Sequence, residues 1–446
     1  MKVDVLVIGG SPVGITAAIT AKETYPDAEV TLVRKERLSV VPCGIPYIFG
    51  TIGEIKKCVN PDGALTANGV NLIVDEVVDV DINSKTAKLA SGDEISFEKL
   101  ILSTGSYPVA PPIEGKDLEG VYMVYKDPDH IEKMLKAAKE AENIVIVGGG
   151  FIGVEFADEL LKLNKNVTIV EILPHLLQVS FDDEFCAMAE NKLRDMGVNV
   201  ITNTSVKRIL GNGKVSEVEL SNGEKLDADF VLLSTGARPN LELAQKMGLE
   251  IGRFGVKVDD YMRTSHPDVF AVGDCAEKRC FFAGKPIPLM LASIGCVEAR
   301  IAGSNLFEIK RPRTIKGVVS AFATAIGDLA LGGVGFTERR ARDEGYNYFT
   351  GWADVPNKHP PTLPRTSNVR VKLVFDENGK YLIGGQVAGP LSCGEIVNTI
   401  SLAIQFRATL YDLLNLQFAT QPLLTPGPGI TSPIVEAAKD ALLMLE

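Results

Sequence analysis

The chain echoes itself. VLVIGGSPVGITAA at 5–18 returns as IVIVGGGFIGVEFA at 144–157, with a constant offset of 139 from Gly9 to Gly148 and from Gly14 to Gly153. A second echo keeps the order, since LILSTGSYP around Gly105 returns as VLLSTGARP around Gly236, 131 residues later. Self-similarity on this scale implies two related folding units, and it narrows the fold more than any single motif does. Each opener reads as a β-rich apolar run (3–8 and 144–147), a glycine turn, and a segment rich in Ala, Ile and Leu with helical character. A further β-rich run follows in both copies, EVTLVRKE at 29–36 and NVTIVEIL at 166–173, which completes a βαβ unit each time.

The texture changes between about 320 and the end. VRVKLVFD and YLIGGQVAG read as strands flanking Asp376-Glu377-Asn378-Gly379, a hairpin-type turn signal, and apolar-periodic helices are predicted at about 393–414 and 433–445. The expected fold class is therefore α/β, with two Rossmann-like dinucleotide-binding domains and a C-terminal α+β unit. A length of 446 residues accommodates about three domains.

Charge and cysteine usage exclude several functions. Lys plus Arg number 46 against 57 Asp plus Glu, a net −11 that has the wrong sign for a nucleic-acid binder. The seven cysteines form no C-x-x-C and no regular framework, so neither a metal site nor a disulfide scaffold is expected, and an odd count suits a reducing cytosol. The N-terminal MKVDVLVIGG is broken by Asp4, and no window of about 18 apolar residues occurs, so the expectation is a soluble, cytoplasmic protein without a membrane partner.

The second glycine turn is the more regular. Gly148, Gly150 and Gly153 permit a tight turn, a close approach of backbone to pyrophosphate, and close packing of helix on strand, while the helix N-terminus offers N–H groups to the anion. Glu171, at the expected end of the next strand, can accept hydrogen bonds from ribose hydroxyls and would repel a 2′-phosphate, which favours NAD(H) over NADP(H). The alternative for Glu171 is a solvated charge at a strand end. In the first copy, Gly9-Gly10-Ser11-Pro12-Val13-Gly14, Ser11 stands where the second glycine belongs and Arg34 where the ribose acid would be. A slightly altered pyrophosphate approach is expected there, with Glu36, backbone or water serving the ribose. The alternative is a degenerate unit without ligand.

Together with these turns, the paired S-T-G-x-x-P segments and TSHPDVFAVGDCAE at 264–277 resemble the pyridine nucleotide-disulfide oxidoreductases, flavoproteins with two dinucleotide-binding domains. The resemblance spans essentially the whole chain. It implies FAD in the first unit, held by Gly9, Gly10, Ser11, Pro12, Val13, Gly14, Arg34, Lys35, Val77 (whose backbone would meet the adenine), Ser103, Thr104 and Gly105. Gly273-Asp274 would return to the FAD, the aspartate on the ribityl chain or phosphate, and Leu291 and Ala292 in PLMLASIGCVEARIAG would pass the flavin ring. It implies NADH, with NADPH as the alternative donor, on Gly148, Gly150, Phe151, Ile152, Gly153, Glu171 and Gly236. The implied domains are 1–111 and 243–319 for FAD, 112–242 for NAD(P)H and 320–446 for dimerisation, with a homodimer as the assembly. An apolar face at 396–414 would equally suit a core helix of a monomer.

The segment SVVPCGIPYIFG at 39–50 narrows the resemblance. Disulfide-relay members carry two cysteines five residues apart, whereas the next cysteine after Cys43 is Cys58. P-C-G-I-P-Y instead resembles the single-cysteine branch, which contains coenzyme A disulfide reductase, NADH oxidase, NADH peroxidase and NADH-dependent persulfide or polysulfide reductase. If 44–49 begins a helix, its N-terminus favours a Cys43 thiolate, which could attack a disulfide or cycle through sulfenic acid. The alternative is a small buried hydrophobe. Glu155 is similar to the family carboxylate that faces nicotinamide and flavin, and Phe151 and Ile152 to the pair that gates nicotinamide access, against alternatives of a satisfied helical glutamate and simple packing.

The departures select among acceptors. Pro12 stands where peroxidases and oxidases of the family carry histidine, Thr420-Gln421-Pro422 replaces a tail His-Pro, and Ala419 and Thr420 stand where coenzyme A disulfide reductases place a tyrosine. The four histidines, 130, 175, 266 and 359, are expected at the surface or in caps, and no rhodanese-like extension is expected beyond 446. The expected function is an FAD-dependent NAD(P)H oxidoreductase, NADH preferred, that reduces a small disulfide, persulfide or polysulfide such as coenzyme A disulfide through Cys43, with Glu155 assisting. The alternatives are an NADH oxidase reducing oxygen to peroxide or water, a reductase of a small electron-carrier protein, and a non-enzymatic, redox-sensing or structural flavoprotein.

Overall fold

A computed structural model describes residues 1–445. The chain divides into two compact units, one made of 1–141 and 232–318 and the other of 142–231 and 319–446.

The first unit is built on a seven-stranded sheet. Strand β1 (Lys2–Ile8) runs into helix α1 (Pro12–Thr24) and strand β2 (Val30–Arg34), and β1 lies in parallel between β2 and β3 (Glu94–Leu102). Strands Asn71–Val74 and Val269–Ala271 extend the parallel part on either side, and Thr86–Leu89 and Val77–Asp81 continue it as an antiparallel ribbon. Alternate residues of β1 point to opposite faces, so Val5 and Val7 enter one core and Leu6 and Ile8 another. On the Val5 face, Ala17, Ala18 and Ala21 of α1 meet Ala299 and Ala302 of the helix Ala292–Ser304. These small side chains let the two helix backbones come close.

In the second unit the same βαβ device recurs, with β4 (Asn143–Val147), α2 (Phe151–Leu161) and β5 (Asn166–Val170). Strand Asn199–Ile201 adds in parallel to β5, and helix α3 (Asp183–Met196) precedes it, ending on Gly197 in the left-handed region at φ 105°. The C-terminal part is a five-stranded antiparallel sheet in the order β6 (Phe322–Ile326), Leu329–Gly335, Leu382–Pro390, Asn368–Asp376, Tyr348–Pro356. The expected hairpin forms at 376–381, where Asp376 Oδ2 accepts from Gly379 N–H at 2.8 Å.

One helix expectation is corrected. The single helix foreseen at about 393–414 is two, Gly394–Gln405 and Leu410–Leu414. Arg407 takes a left-handed φ of 54°, and Thr409 and Asp412 form a reciprocal capping box that starts the second helix. Apolar periodicity does not register such a break, because the period resumes beyond it.

Asp182, Glu184 and Glu338 converge within 4.8 Å of one another, a spacing that could suit a metal. The ammonium of Lys372 fills that place, at 2.8 Å from Asp182 and 2.5 Å from Glu184, with Glu338 also in contact. Burial works against the charge on Lys372, but the three carboxylates hold its pKa up. Among the described residues, no helix is long and apolar enough to cross a membrane.

Candidate active site

The two glycine turns share one geometry. Ile8 pairs with Val33 at the end of the β1/β2 ladder, and Gly9 N–H then donates to Val33 O at 2.9 Å with φ 112°. Val147 pairs with Val170 in the β4/β5 ladder, and Gly148 N–H donates to Val170 O at 2.9 Å with φ 106°. A left-handed φ of this size is cheap only for glycine. A Cβ on Gly9 would lie 2.1 Å from Ser103 O, and one on Gly14 would lie 1.9 Å from Gly9 O, so neither position admits a side chain. Gly10 packs its bare face on the stem of Arg34, where an added Cβ would meet Arg34 Cβ at 2.6 Å.

The backbone at Ser11 matches that at Gly150. Ser11 caps α1 with φ −80° and ψ 176°, and Gly150 caps α2 with φ −75° and ψ −175°. This is extended backbone that any residue adopts, so a serine costs nothing in conformation. Gly150 is exposed and has open space where a Cβ would stand, which leaves the approach to the α2 N-terminus clear. Both turns thus present helix N-termini over close-packed glycines, and the residues present fit two dinucleotide phosphates.

The strand ends differ in charge. Glu171 is 8% exposed, and its carboxylate accepts from Gly149 N–H at 2.6 Å and from Leu173 N–H at 2.7 Å. The solvated-charge alternative therefore falls, because the group is buried and closes the glycine turn. Arg34 is 2% exposed and spends its guanidinium on Asp62, at 2.5 and 2.8 Å, and on the carbonyls of Glu36 and Arg37, at 2.9 and 3.2 Å. Lys35 next to it is exposed, and Val77 is buried in the core.

The two S-T-G echoes are neighbours in space. Ser106–Pro108 and Ala237–Pro239 pair antiparallel, Thr104 Oγ1 donates to Asn240 O at 2.8 Å, and Val109 N–H donates to Gly236 O at 3.0 Å. Asp274, in the turn Gly273–Cys275, accepts from Ser106 Oγ at 2.7 Å and pairs with Lys126 Nζ at 3.2 Å. Sequence reasoning missed Lys126, which no motif marks. It also missed the support behind the turn, where Glu298 accepts from Gly273 N–H at 3.0 Å and pairs with Lys278 at 3.0 Å, both side chains nearly inaccessible. Burial raises the Glu298 pKa, and Lys278 pulls the other way. Leu291 caps the helix that carries Glu298, and Ala292 is its first residue.

Cys43 lies in a 3-10 turn, Pro42–Gly44, that leads into a four-residue helix, Ile45–Ile48. The helix expected to begin over 44–49 forms as a single turn, Ile45–Ile48 with Gly44 and Phe49 as its caps, and Pro46 in that first turn gives up an N–H that no helical carbonyl would have taken. Its dipole is accordingly small. The loop is tied instead to the first glycine turn: Ser39 Oγ donates to Gly10 O at 2.5 Å, and Asn60 Nδ2 donates to Ser39 Oγ at 3.1 Å. Cys43 is exposed, Cys296 is half-buried and the other five cysteines are buried. The buried-hydrophobe alternative for Cys43 therefore falls. Burial pushes Cys186 up to about 12 and Cys393 up to about 11, and raises Cys58 and Cys275 as well. Cys58 packs beneath Gly44, where an added Cβ would meet its sulfur at 2.3 Å.

In the second unit Glu155 sits on α2, and its Oε1 accepts from Thr324 Oγ1 of β6 at 2.9 Å. Burial, opposed by that hydrogen bond and reinforced by the charge of Glu159, pushes its pKa up to about 7. Phe151 packs edge-on against Phe322 at 5.3 Å and Phe181 at 6.2 Å, whereas Ile152 is 42% exposed. The four histidines make short-range contacts, to Met123 O, Glu190, Asp268 N–H and Thr425 O for His130, His175, His266 and His359 in turn.

Comparison with known proteins places these features in one group. Residues 3–293 match the model of the pyridine nucleotide-disulphide oxidoreductases and 322–428 that of their dimerisation domain. The chain is 30% identical over 452 residues to an NADH oxidase of Methanocaldococcus jannaschii, covering 99% of both. It is 34% identical over 450 residues to an NAD(P)H coenzyme A polysulfide/persulfide reductase of Pyrococcus horikoshii, covering 98% of both. Among solved structures, an NAD-dependent persulfide reductase from A. fulgidus superposes with a TM-score of 0.92 at 30% identity, over 100% of this chain and 84% of that one. The chain belongs to the pyridine nucleotide-disulphide oxidoreductase family and is an oxidoreductase that uses FAD and NAD(P)H.

Proposed function

We propose that the enzyme reduces a small disulfide, persulfide or polysulfide, coenzyme A disulfide among them, through Cys43. The observation that carries this reading is the exposure of Cys43 against the burial of five of the other six cysteines. A small acceptor can reach this thiol, and a thiolate is the form that attacks sulfur. The names of the coenzyme A-dependent and persulfide-reducing relatives agree with that acceptor class.

Bound FAD supplies the electron pair, taken from NAD(P)H. Cys43 sulfur attacks the acceptor, so that one S–S bond forms as another breaks and a first thiolate leaves. Two electrons then cleave the mixed disulfide, releasing the second thiol and restoring the Cys43 thiolate. One NAD(P)H and one proton are consumed for each disulfide converted to two thiols. Ser39 and Asn60 hold the Cys43 loop against the first glycine turn, which keeps the thiol in register with the flavin-binding residues.

FAD contacts are assigned to Gly9 through Gly14, Arg34, Lys35, Val77, Ser103, Thr104, Gly105, Gly273, Asp274, Leu291 and Ala292, and NAD(P)H contacts to Gly148, Gly150, Phe151, Ile152, Gly153, Glu171 and Gly236. Glu155 and Phe151 face the nicotinamide in this reading, and Glu171 favours NADH. The segments 1–111 with 243–319, 112–242 and 320–446 serve FAD, NAD(P)H and homodimer formation, in the cytoplasm. A second reading, NADH oxidase, has the full-length M. jannaschii relative in its favour. Mixing NADH-reduced enzyme with coenzyme A disulfide, polysulfide and oxygen in turn separates the two. Fast flavin reoxidation by a sulfur acceptor is expected; reoxidation by oxygen alone would exclude the first reading.

A further inference from the structure

Two residues of β6 meet two residues of α2 in matched pairs. Residues two apart on a strand share a face, and residues four apart on a helix do the same. Phe322 packs on Phe151 with centroids 5.3 Å apart and planes at 61°, and Thr324 Oγ1 donates to Glu155 Oε1 at 2.9 Å. Phe181 closes the cluster from a third side, 5.5 Å from Phe322 and 6.2 Å from Phe151. Thr324 is 7% exposed, so water competes poorly for its hydroxyl. Thr324 and Glu155 are 169 residues apart in sequence, and β6 belongs to the C-terminal antiparallel sheet rather than to the βαβ unit that carries α2.

We propose that Thr324 is a positioning residue for Glu155: its hydroxyl fixes the direction of the carboxyl while Phe322 fixes Phe151, so that a strand of the C-terminal segment sets the geometry of the nicotinamide side. The proposal rests on the reading that Glu155 and Phe151 face the nicotinamide. A hydroxyl that donates to a carboxylate stabilises the ionised form. It works here against burial and against Glu159, one turn along α2, which is itself paired with Lys162 at 2.6 Å. From β6 the polar contact is the uncharged Thr324, and the other groups in the cluster are aromatic rings. Ionisation of Glu155 is thus balanced between one hydroxyl, one neighbouring charge and a dry surrounding. Loss of the hydroxyl leaves the carboxyl in place but removes the contact that favours its charge, so titration moves to higher pH.

The test titrates Glu155 directly in the oxidised holoenzyme by infrared difference spectroscopy of the carboxyl band, beside the pH profile of flavin reduction by NADH. Glu155→Gln identifies the band and the break in the profile. Thr324→Val is expected to move both upward by about half a unit to one unit, and Thr324→Ser to return them to the wild-type position. If Glu155→Gln removes the band and the break while Thr324→Val leaves both where they were, Thr324 does not position the carboxyl. If Glu155→Gln leaves the break in flavin reduction intact, the nicotinamide reading of Glu155 is wrong, whatever Thr324 does to the band. Flavin content and melting temperature of Thr324→Ser against Thr324→Val separate a lost hydroxyl from a damaged fold.

Discussion

At the first glycine turn a buried arginine ends the second strand, and at the second turn a buried glutamate stands in the corresponding place. Ladder register, first-glycine φ and first-glycine hydrogen bond repeat between the two copies. The closing side chains do not. Arg34 turns away from its glycine loop and holds the following segment through two carbonyls and Asp62, whereas Glu171 turns toward its loop and takes Gly149 N–H. The shared turn backbone thus goes with the shared glycines, while the charged residue beyond it serves a different purpose in each copy. In the first copy that purpose is to anchor the chain leading to the Cys43 loop. In the second it is to close the glycine loop through the Gly149 and Leu173 amides.

The largest effect is expected where sterics act. Gly9→Ala sets a Cβ against Ser103 O in a left-handed backbone and should cost about 3 kcal/mol or more, giving protein with a lower melting temperature and little bound flavin. Gly150→Ala, with open space at its Cβ, should leave the melting temperature unchanged and raise KM for NADH about tenfold by crowding the pyrophosphate. Equal thermal losses in the two variants would break the contrast between a packed turn and an open one. Next comes Arg34→Met, which strips Asp62 and two carbonyls of their partner and should cost about 2 kcal/mol in a urea titration, reduced from a fully buried pair because Asp62 is half-exposed. A smaller loss of stability than for Arg34→Met, about 1 kcal/mol, is expected from Glu171→Gln, since an amide oxygen still accepts from Gly149. Its signature lies in specificity: the ratio of kcat/KM for NADH over NADPH should fall about tenfold. An unchanged ratio would remove Glu171 from the ribose.

Much of this arrangement was legible in the sequence because it is local. The glycine spacing, the strand-end residues and the S-T-G echoes each lie within a few residues of the chain they shape. The long-range partners were not legible. Lys126 and Ser106 on Asp274, Glu298 and Lys278 behind Gly273, and Thr324 on Glu155 are ordinary residue types joined by tertiary packing alone. The Cys43 loop shows both cases. The P-C-G-I-P-Y segment marks the thiol and the helix start beside it, but not where that helix stops, one turn later at Phe49. Cys58, fifteen residues on and unpatterned in sequence, returns to pack beneath Gly44 through the short pairing of Ser39–Val40 with Val59–Asn60.

The central claim is that electrons reach a sulfur acceptor through Cys43. It is tested most directly by stopped-flow comparison of wild type and Cys43→Ser, each reduced by one equivalent of NADH and then mixed with coenzyme A disulfide or polysulfide under anaerobic conditions. The account predicts that NADH bleaches the flavin in both proteins and that the sulfur acceptor restores its colour only in the wild type. Reoxidation of Cys43→Ser at the wild-type rate would contradict it.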